Sequence, residues 1–130
     1  MMTRDSLYDY DDFPVSWMRV LFRLHLAKLR HERHTYGQKT APAGWIPIYE
    51  VQQPEVGGSA GDVRLRDLRN KYLVPMMGPQ PFPWKDRHGN KHITYLYKLG
   101  CTLDDSDFTE IIFEGSKWRY EPVEEQMEML

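Results

Sequence analysis

Gly61-Asp-Val-Arg-Leu-Arg-Asp-Leu-Arg-Asn-Lys-Tyr-Leu73, a proline-rich segment, and then Ile93-Thr-Tyr-Leu-Tyr-Lys-Leu99 form the stretch on which the fold turns. Leu65, Leu68 and Tyr72 recur at helical spacing, with Arg66 and Asn70 almost opposite and Asp67 beside them. Arg64, Arg69 and Lys71 flank the apolar side, so residues 62–73 read as a short basic helix, capped by Ser59 or Asp62. Ile93, Tyr95, Tyr97 and Leu99 alternate with Thr94, Leu96 and Lys98, the period of a half-buried strand. His88-Gly-Asn-Lys91 places Gly89-Asn90 where a two-residue hairpin turn needs positive φ. Val74-Pro-Met-Met77 begins the partner segment, and Pro79, Pro81 and Pro83 favour a stiff loop within it.

Upstream, Gly57-Gly-Ser-Ala-Gly61 reads as a turn and residues 49–53 as a helical stretch stopped by Pro54. Trp45-Ile-Pro-Ile48 is extended, because Pro47 disfavours helical geometry at Ile46, and residues 38–44 form a loop. Residues 15–36 carry a long helical pattern. Pro14 suits its first turn, Asp11 and Asp12 its positive end, and Gly37 a left-handed cap. Arg19, Arg23 and Arg30 make a basic stripe on this helix. Its apolar arc, from Trp17 to Leu29, exceeds 180°, so the helix is either central in the fold or shared with a partner chain. Residues 1–12 read as a flexible acidic arm. Residues 101–130 read as an acidic extension, with strands at Phe108–Phe113 and Lys117–Tyr120 around Gly115-Ser116. A tail helix follows, placing Val123, Met127 and Leu130 on one side.

The net charge of −2 conceals a segregation. Residues 13–100 carry 14 Lys+Arg against 6 Asp+Glu, whereas residues 1–12 have a net charge of −3 and residues 101–130 of −7. A basic body with acidic ends is the pattern of a polyanion binder, and equally of charges that balance across a folded surface. With 41% hydrophobic and 28% charged residues, 130 residues suit one soluble domain. No apolar run approaches the roughly 18 residues of a membrane span, and no signal-peptide core follows Met1. The lone Cys101 excludes an internal disulfide and a multi-cysteine zinc site. A reducing, cytoplasmic setting is the expectation.

From Gly44 to Leu99 the order is strand, short helix, glycine turn, basic helix and hairpin. Gly44-Trp-Ile-Pro47, Arg64-Leu-Arg-Asp-Leu-Arg69 and Tyr95-Leu-Tyr-Lys-Leu99 carry it, and the pattern resembles the winged helix-turn-helix domains of phage and mobile-element proteins. With helix 15–36 in front, the likeness covers about two-thirds of the chain. Two departures stand out: Lys71-Tyr72-Leu73 replaces the usual glycine after the recognition helix, and the wing is long and proline-rich. The resemblance implies an α+β fold: a winged helix-turn-helix over 13–100 with a long N-terminal helix and a hairpin wing, to which the sequence adds an extra C-terminal hairpin in residues 101–130, where the family offers no counterpart. It implies a non-enzymatic, DNA-binding regulator or accessory protein.

On that reading Arg66 pairs with guanine and Asn70 with adenine in the major groove of double-stranded DNA. Arg64, Arg69, Lys71, Lys85, Arg87 and Lys91 hold phosphates. A structural alternative has Arg69 bracing the fold through Asp62 or Glu50. In the wing, Phe82, Trp84 and His92 interleave with Lys85 and Arg87. That pattern stacks on unpaired bases or simply packs the hairpin against the body. His31-x-x-His34 and His88-x-x-x-His92 have ligand-like gaps but no matching Cys or carboxylate pair at zinc spacing. Asp104, Asp105, Asp107 and Glu110 lack a companion base, so no catalytic, cofactor or metal residue is assigned. A homodimer through helix 15–36 or the C-terminal hairpin is a further expectation. So is a second function class, a protein-interaction module in which the same fold binds a host or partner protein.

Overall fold

The computed structural model describes residues 6–122. It is a mixed α+β structure in which four α-helices accompany two small antiparallel sheets. Helix α1 (Ser16–Leu29) runs through the middle, burying Trp17, Met18 and every residue from Val20 to Ala27. Its wide apolar arc is thus used inside the chain, as a central helix requires.

The helix stops seven residues before the point that its sequence pattern suggests. Arg30 caps it and His31 takes a left-handed φ of 52°. The His31 amide donates to the Lys28 carbonyl at 3.2 Å and the Glu32 amide to the Ala27 carbonyl at 2.9 Å. This two-bond cap satisfies the last carbonyls without glycine. The physical reason is that His31-Glu-Arg-His34 offers nothing apolar to bury, while reversal returns Glu32 to Arg23. Gly37 instead turns a tight hairpin, β1 (Thr35–Tyr36) with β2 (Lys39–Thr40). A Cβ on Gly37 would lie 2.2 Å from the Lys85 carbonyl oxygen, at a φ of 59°. Only glycine lets the hairpin sit this close to its neighbour.

Strand β3 (Ile46–Pro47) leads into α2 (Ile48–Val51), a 3-10 turn at Gly58–Ala60, and α3 (Gly61–Asn70). Neither Ser59 nor Asp62 caps α3, whose N-cap is Ala60 with no side-chain bond. Gly61 matters by its size, since a Cβ there would stand 2.3 Å from the Val51 carbonyl oxygen where α2 and α3 cross. Leu65 and Leu68 bury the inner face of α3, and Tyr72 stacks on Trp17 at 3.9 Å. The helix ends at Asn70 and Leu73 turns the chain at φ 59°, the glycine-type conformation held here by a leucine.

Strands β4 (Met76–Lys85) and β5 (Lys91–Leu99) form a long hairpin, and β3 pairs on the far side of β5, giving the order β3-β5-β4. The three prolines lie in β4 rather than in a loop, Pro79 inside a bulge between Met77 and Gln80 and Pro81 and Pro83 beyond it. β4 is an edge strand, where a nitrogen that faces away from β5 has no ladder bond to lose. The hairpin turn spans 86–90, longer than the two-residue form, because Asp86 closes it: its amide donates to the Asn90 carbonyl at 3.0 Å.

The C-terminal hairpin expected at 108–120 is a helix, α4 (Asp105–Glu114). Asp104 and Asp107 form a reciprocal capping box, with side-chain to amide bonds of 3.1 and 2.8 Å. Phe108, Ile111 and Ile112 keep a helical period and bury Phe108 and Ile111 completely, which outweighs their β-branched and aromatic strand preference. The acidic segment before α1 is not a loose arm from Ser6 onward. Ser6 and the Leu7 amide donate to Asp105, Tyr8 meets Thr109, and Phe13 packs among Phe22 and Phe108 at 4.9 and 5.5 Å. The tail helix suggested by Val123, Met127 and Leu130 lies outside the described residues. Among the described residues, no helix is long and apolar enough to cross a membrane.

Candidate nucleic-acid interface

With Leu65 and Leu68 turned inward, α3 presents Arg66 and Asn70 to solvent. Asp67, on the same exposed side, pairs with Arg64 at 3.0 Å, one turn away. Its charge is therefore answered on the helix itself, and Arg64 is partly occupied. Arg69 is more firmly engaged. Its Nη2 donates to the Gly78 carbonyl at 2.7 Å and to the Met76 carbonyl at 3.3 Å. Arg69 thus clamps α3 to the base of the hairpin. Its bracing partners are backbone carbonyls of the bulge, not Asp62 or Glu50. Lys71 is exposed, with its ammonium 5.4 Å over the Tyr72 ring. Arg66, Arg69, Asn70, Met76, Pro79 and Tyr97 border a groove of about 400 Å³ between α3 and the hairpin base.

At the other end of the hairpin lies a second cationic group. Lys85 and Lys91 are register partners, and Arg87 follows in the turn. Asp86 organises this tip. Its Oδ1 accepts from the His88 and Asn90 amides at 2.8 and 3.0 Å, and its Oδ2 accepts from His92 Nε2 at 2.9 Å. His92 and these donors hold the Asp86 carboxyl down to about 2. An open cleft of about 890 Å³ runs between this tip and the β1–β2 hairpin, bordered by Lys39, Trp84, Lys85, Arg87, Lys91 and His92. Phe82 and Trp84 pack on Tyr36 at ring distances of 5.9 and 5.6 Å, and Lys39 donates to the Pro83 carbonyl. For these two aromatics, packing against the body is the observed outcome.

The eight residues singled out in the sequence therefore fall into two sets. Arg64, Arg66, Arg69, Asn70 and Lys71 belong to α3. Lys85, Arg87 and Lys91 belong to the tip. β4, which runs from the base of the hairpin to its tip, spans at most roughly 30 Å over its nine residue steps. Lys39 and the β1–β2 hairpin were missed. Thr35-Tyr-Gly-Gln-Lys-Thr40 carried their signal, a glycine turn between two threonines that the long-helix reading absorbed.

Two arginines of the basic stripe of α1, Arg19 and Arg23, are engaged within the chain, while Arg30 is exposed. Arg19 donates to the Val56 and Phe13 carbonyls at 2.9 and 2.8 Å. Arg23, 8% exposed, grips Glu32 with two bonds of 2.7 Å and Glu50 with one of 2.5 Å. Glu32, His34 and Glu50 bring three metal-ligand-type atoms within 4.8 Å of one another. Arg23 already occupies both carboxylates and keeps Glu32 below the usual carboxylate range, so the cluster serves as an ion-pair network. His25 is buried beside Phe22 and Phe108, and burial lowers its pKa. Burial likewise pushes the Cys101 thiol up to about 11, the state of an unreactive core cysteine.

Of the two surfaces expected to carry a dimer, most of the apolar arc of α1 is buried within the chain, with Leu29 45% exposed, and the C-terminal hairpin is α4. Comparison with protein-family models, with curated proteins and with solved structures found no match to this chain.

Proposed function

We propose that this chain is a non-enzymatic, DNA-binding regulator or accessory protein with a winged helix-turn-helix body over residues 13–100. The element order α1, β3, α2, α3, β4, β5 and the strand order β3-β5-β4 favour that body. In it α3 is the recognition helix and the β4–β5 hairpin the wing. The observation that carries the DNA reading is the exposed cationic set at both ends of the wing. Arg66 and Lys71 stand on α3, and Lys85, Arg87 and Lys91 at the tip. None of Arg66, Lys71, Lys85 and Lys91 has an ion-pair partner among the described residues. The length of β4 between the two sets, at most roughly 30 Å at strand rise, is on the order of one B-DNA turn. Arg66 and Asn70 then face base edges in the major groove, while the tip meets the backbone about a turn away. Arg64 and Arg69 contribute by positioning α3.

The test is a salt titration of duplex binding by fluorescence anisotropy. Affinity falls steeply as salt rises, Arg66→Ala relaxes sequence preference, and short duplexes that span less than one turn bind weakly. No binding at low salt removes the reading.

A second reading, docking to a protein partner, is favoured by one feature. Ile93 and Tyr95, two residues apart on one face of the wing, are 59% and 48% exposed. That apolar pair suits a protein surface better than a phosphate backbone.

A further inference from the structure

We infer that the cleft between the two hairpins is a site for an unpaired nucleotide, with His92 as the stacking platform and Arg87 as the phosphate grip. This rests on the nucleic-acid reading above and narrows its ligand to nucleic acid with a single-stranded end or gap.

Trp84 and His92 form a two-ring stack, 4.4 Å apart and only 18° from parallel, and Tyr36 lies beside Trp84 at 5.6 Å, tilted by 37°. Trp84 is fixed by its own bond, Nε1 donating to Thr94 Oγ1 at 2.9 Å. The His92 side chain is 43% exposed. A surface histidine ordinarily swings among rotamers, but this one is held by Asp86 at 2.9 Å, and Asp86 is held in turn by the turn amides. The ring is thus kept parallel to Trp84 while part of it stays accessible.

Charge points to the same ligand. Arg87 and Lys39 border the cleft, whereas the register partners Lys85 and Lys91 project from the face of the hairpin opposite to Trp84 and His92. Among the described residues Asp86 is the one carboxylate bordering the cleft, and it is committed to His92 and the turn. A volume of about 890 Å³ accommodates a nucleotide. A planar ring with a phosphate attached answers both features. Within a duplex each base face is already covered by its neighbours, so only an overhang, gap or displaced strand offers a free ring.

The experiment measures affinity for a blunt duplex, for the same duplex with a short thymidine overhang, and for the thymidine strand alone. The overhang raises affinity by about tenfold, the scale of one stacked base. His92→Ala returns the overhang duplex to the blunt value, whereas His92→Phe, which keeps a flat ring, retains most of the gain. Arg87→Ala weakens the overhang and the free strand together. An overhang that adds nothing, or a gain that survives His92→Ala, overturns the inference while leaving duplex binding standing. Binding of the free strand through His92 without binding of the blunt duplex upholds the tip site and removes the duplex reading. Binding of neither removes both.

Discussion

Around α1 the cations are embedded in the protein: Arg19 binds two carbonyls, Arg23 two carboxylates, and Lys28 the Cys101 carbonyl at 2.8 Å. At the β4–β5 tip, Lys85 faces Lys91 and, among the described residues, the one carboxylate bordering the adjacent cleft is turned to the loop's own donors. The same residue types therefore do two jobs. In the centre they satisfy buried polar groups, which the low dielectric makes costly to leave unpaired. At the tip they remain solvated and free to meet an outside anion. The acidic ends follow the same division. Asp104, Asp105 and Asp107 cap α4 and anchor Ser6 and Leu7, far along the chain from the cationic tip.

Arg23→Ala should have the largest effect, since it strands Glu32 and Glu50 together. A loss of about 3–5 kcal/mol in urea unfolding is expected. Lys85→Ala and Arg66→Ala should stay within about 0.5 kcal/mol of the parent. Comparable losses at both places would erase the distinction between embedded and free cations.

Gly37→Ala comes next. The new Cβ collides with the Lys85 carbonyl at a left-handed φ, so the two hairpins must separate, at about 1–3 kcal/mol. Amide exchange sharpens the comparison here: protection falls in β1, β2 and the tip, while α1 keeps its own.

Acid should reach the two regions at different points. The folded pKa of His25 lies below its usual 6.5, so the unfolded chain binds the extra proton. Stability is therefore complete above about 6.5 and declines as pH falls below it. His25→Phe flattens that slope. Asp86 is likewise lowered, to about 2, so the order of the tip persists through this range. It is lost only as pH falls from about 4 towards 2. Loss of the Asn90 and His88 amide signals near neutrality would contradict the role given to Asp86.

The smallest stability change is expected for Lys85→Ala or Lys91→Ala, a gain of a few tenths of a kcal/mol as the facing ammoniums separate. Each should also lower the salt slope of DNA binding by about 1. A substitution that leaves the slope unchanged takes that lysine out of the interface.

Local pattern determined much of this molecule. The helix over Leu65, Leu68 and Tyr72 and the alternation from Ile93 to Leu99 appear close to where their periods put them, because each buries a face of its own. Arg66 and Asn70 were legible as outward residues for the same reason. Other features depended on partners distant in sequence. Helix α1 ends at Leu29 because Glu32 returns to Arg23 and Glu50 joins them, a bond set that no window of residues 15–36 contains. Phe108–Phe113 became helix through a capping box and a seat against Phe13 and Phe22, although its composition suits a strand. Arg69 looked like a ligand for phosphate until the bulge at Gly78 brought two carbonyls to it. Sequence periodicity alone specified which faces are apolar, since burial of an amphipathic face is a local matter. Which charges are left over for an outside partner was decided only by the tertiary structure, since pairing a buried charge depends on what the rest of the chain brings within reach.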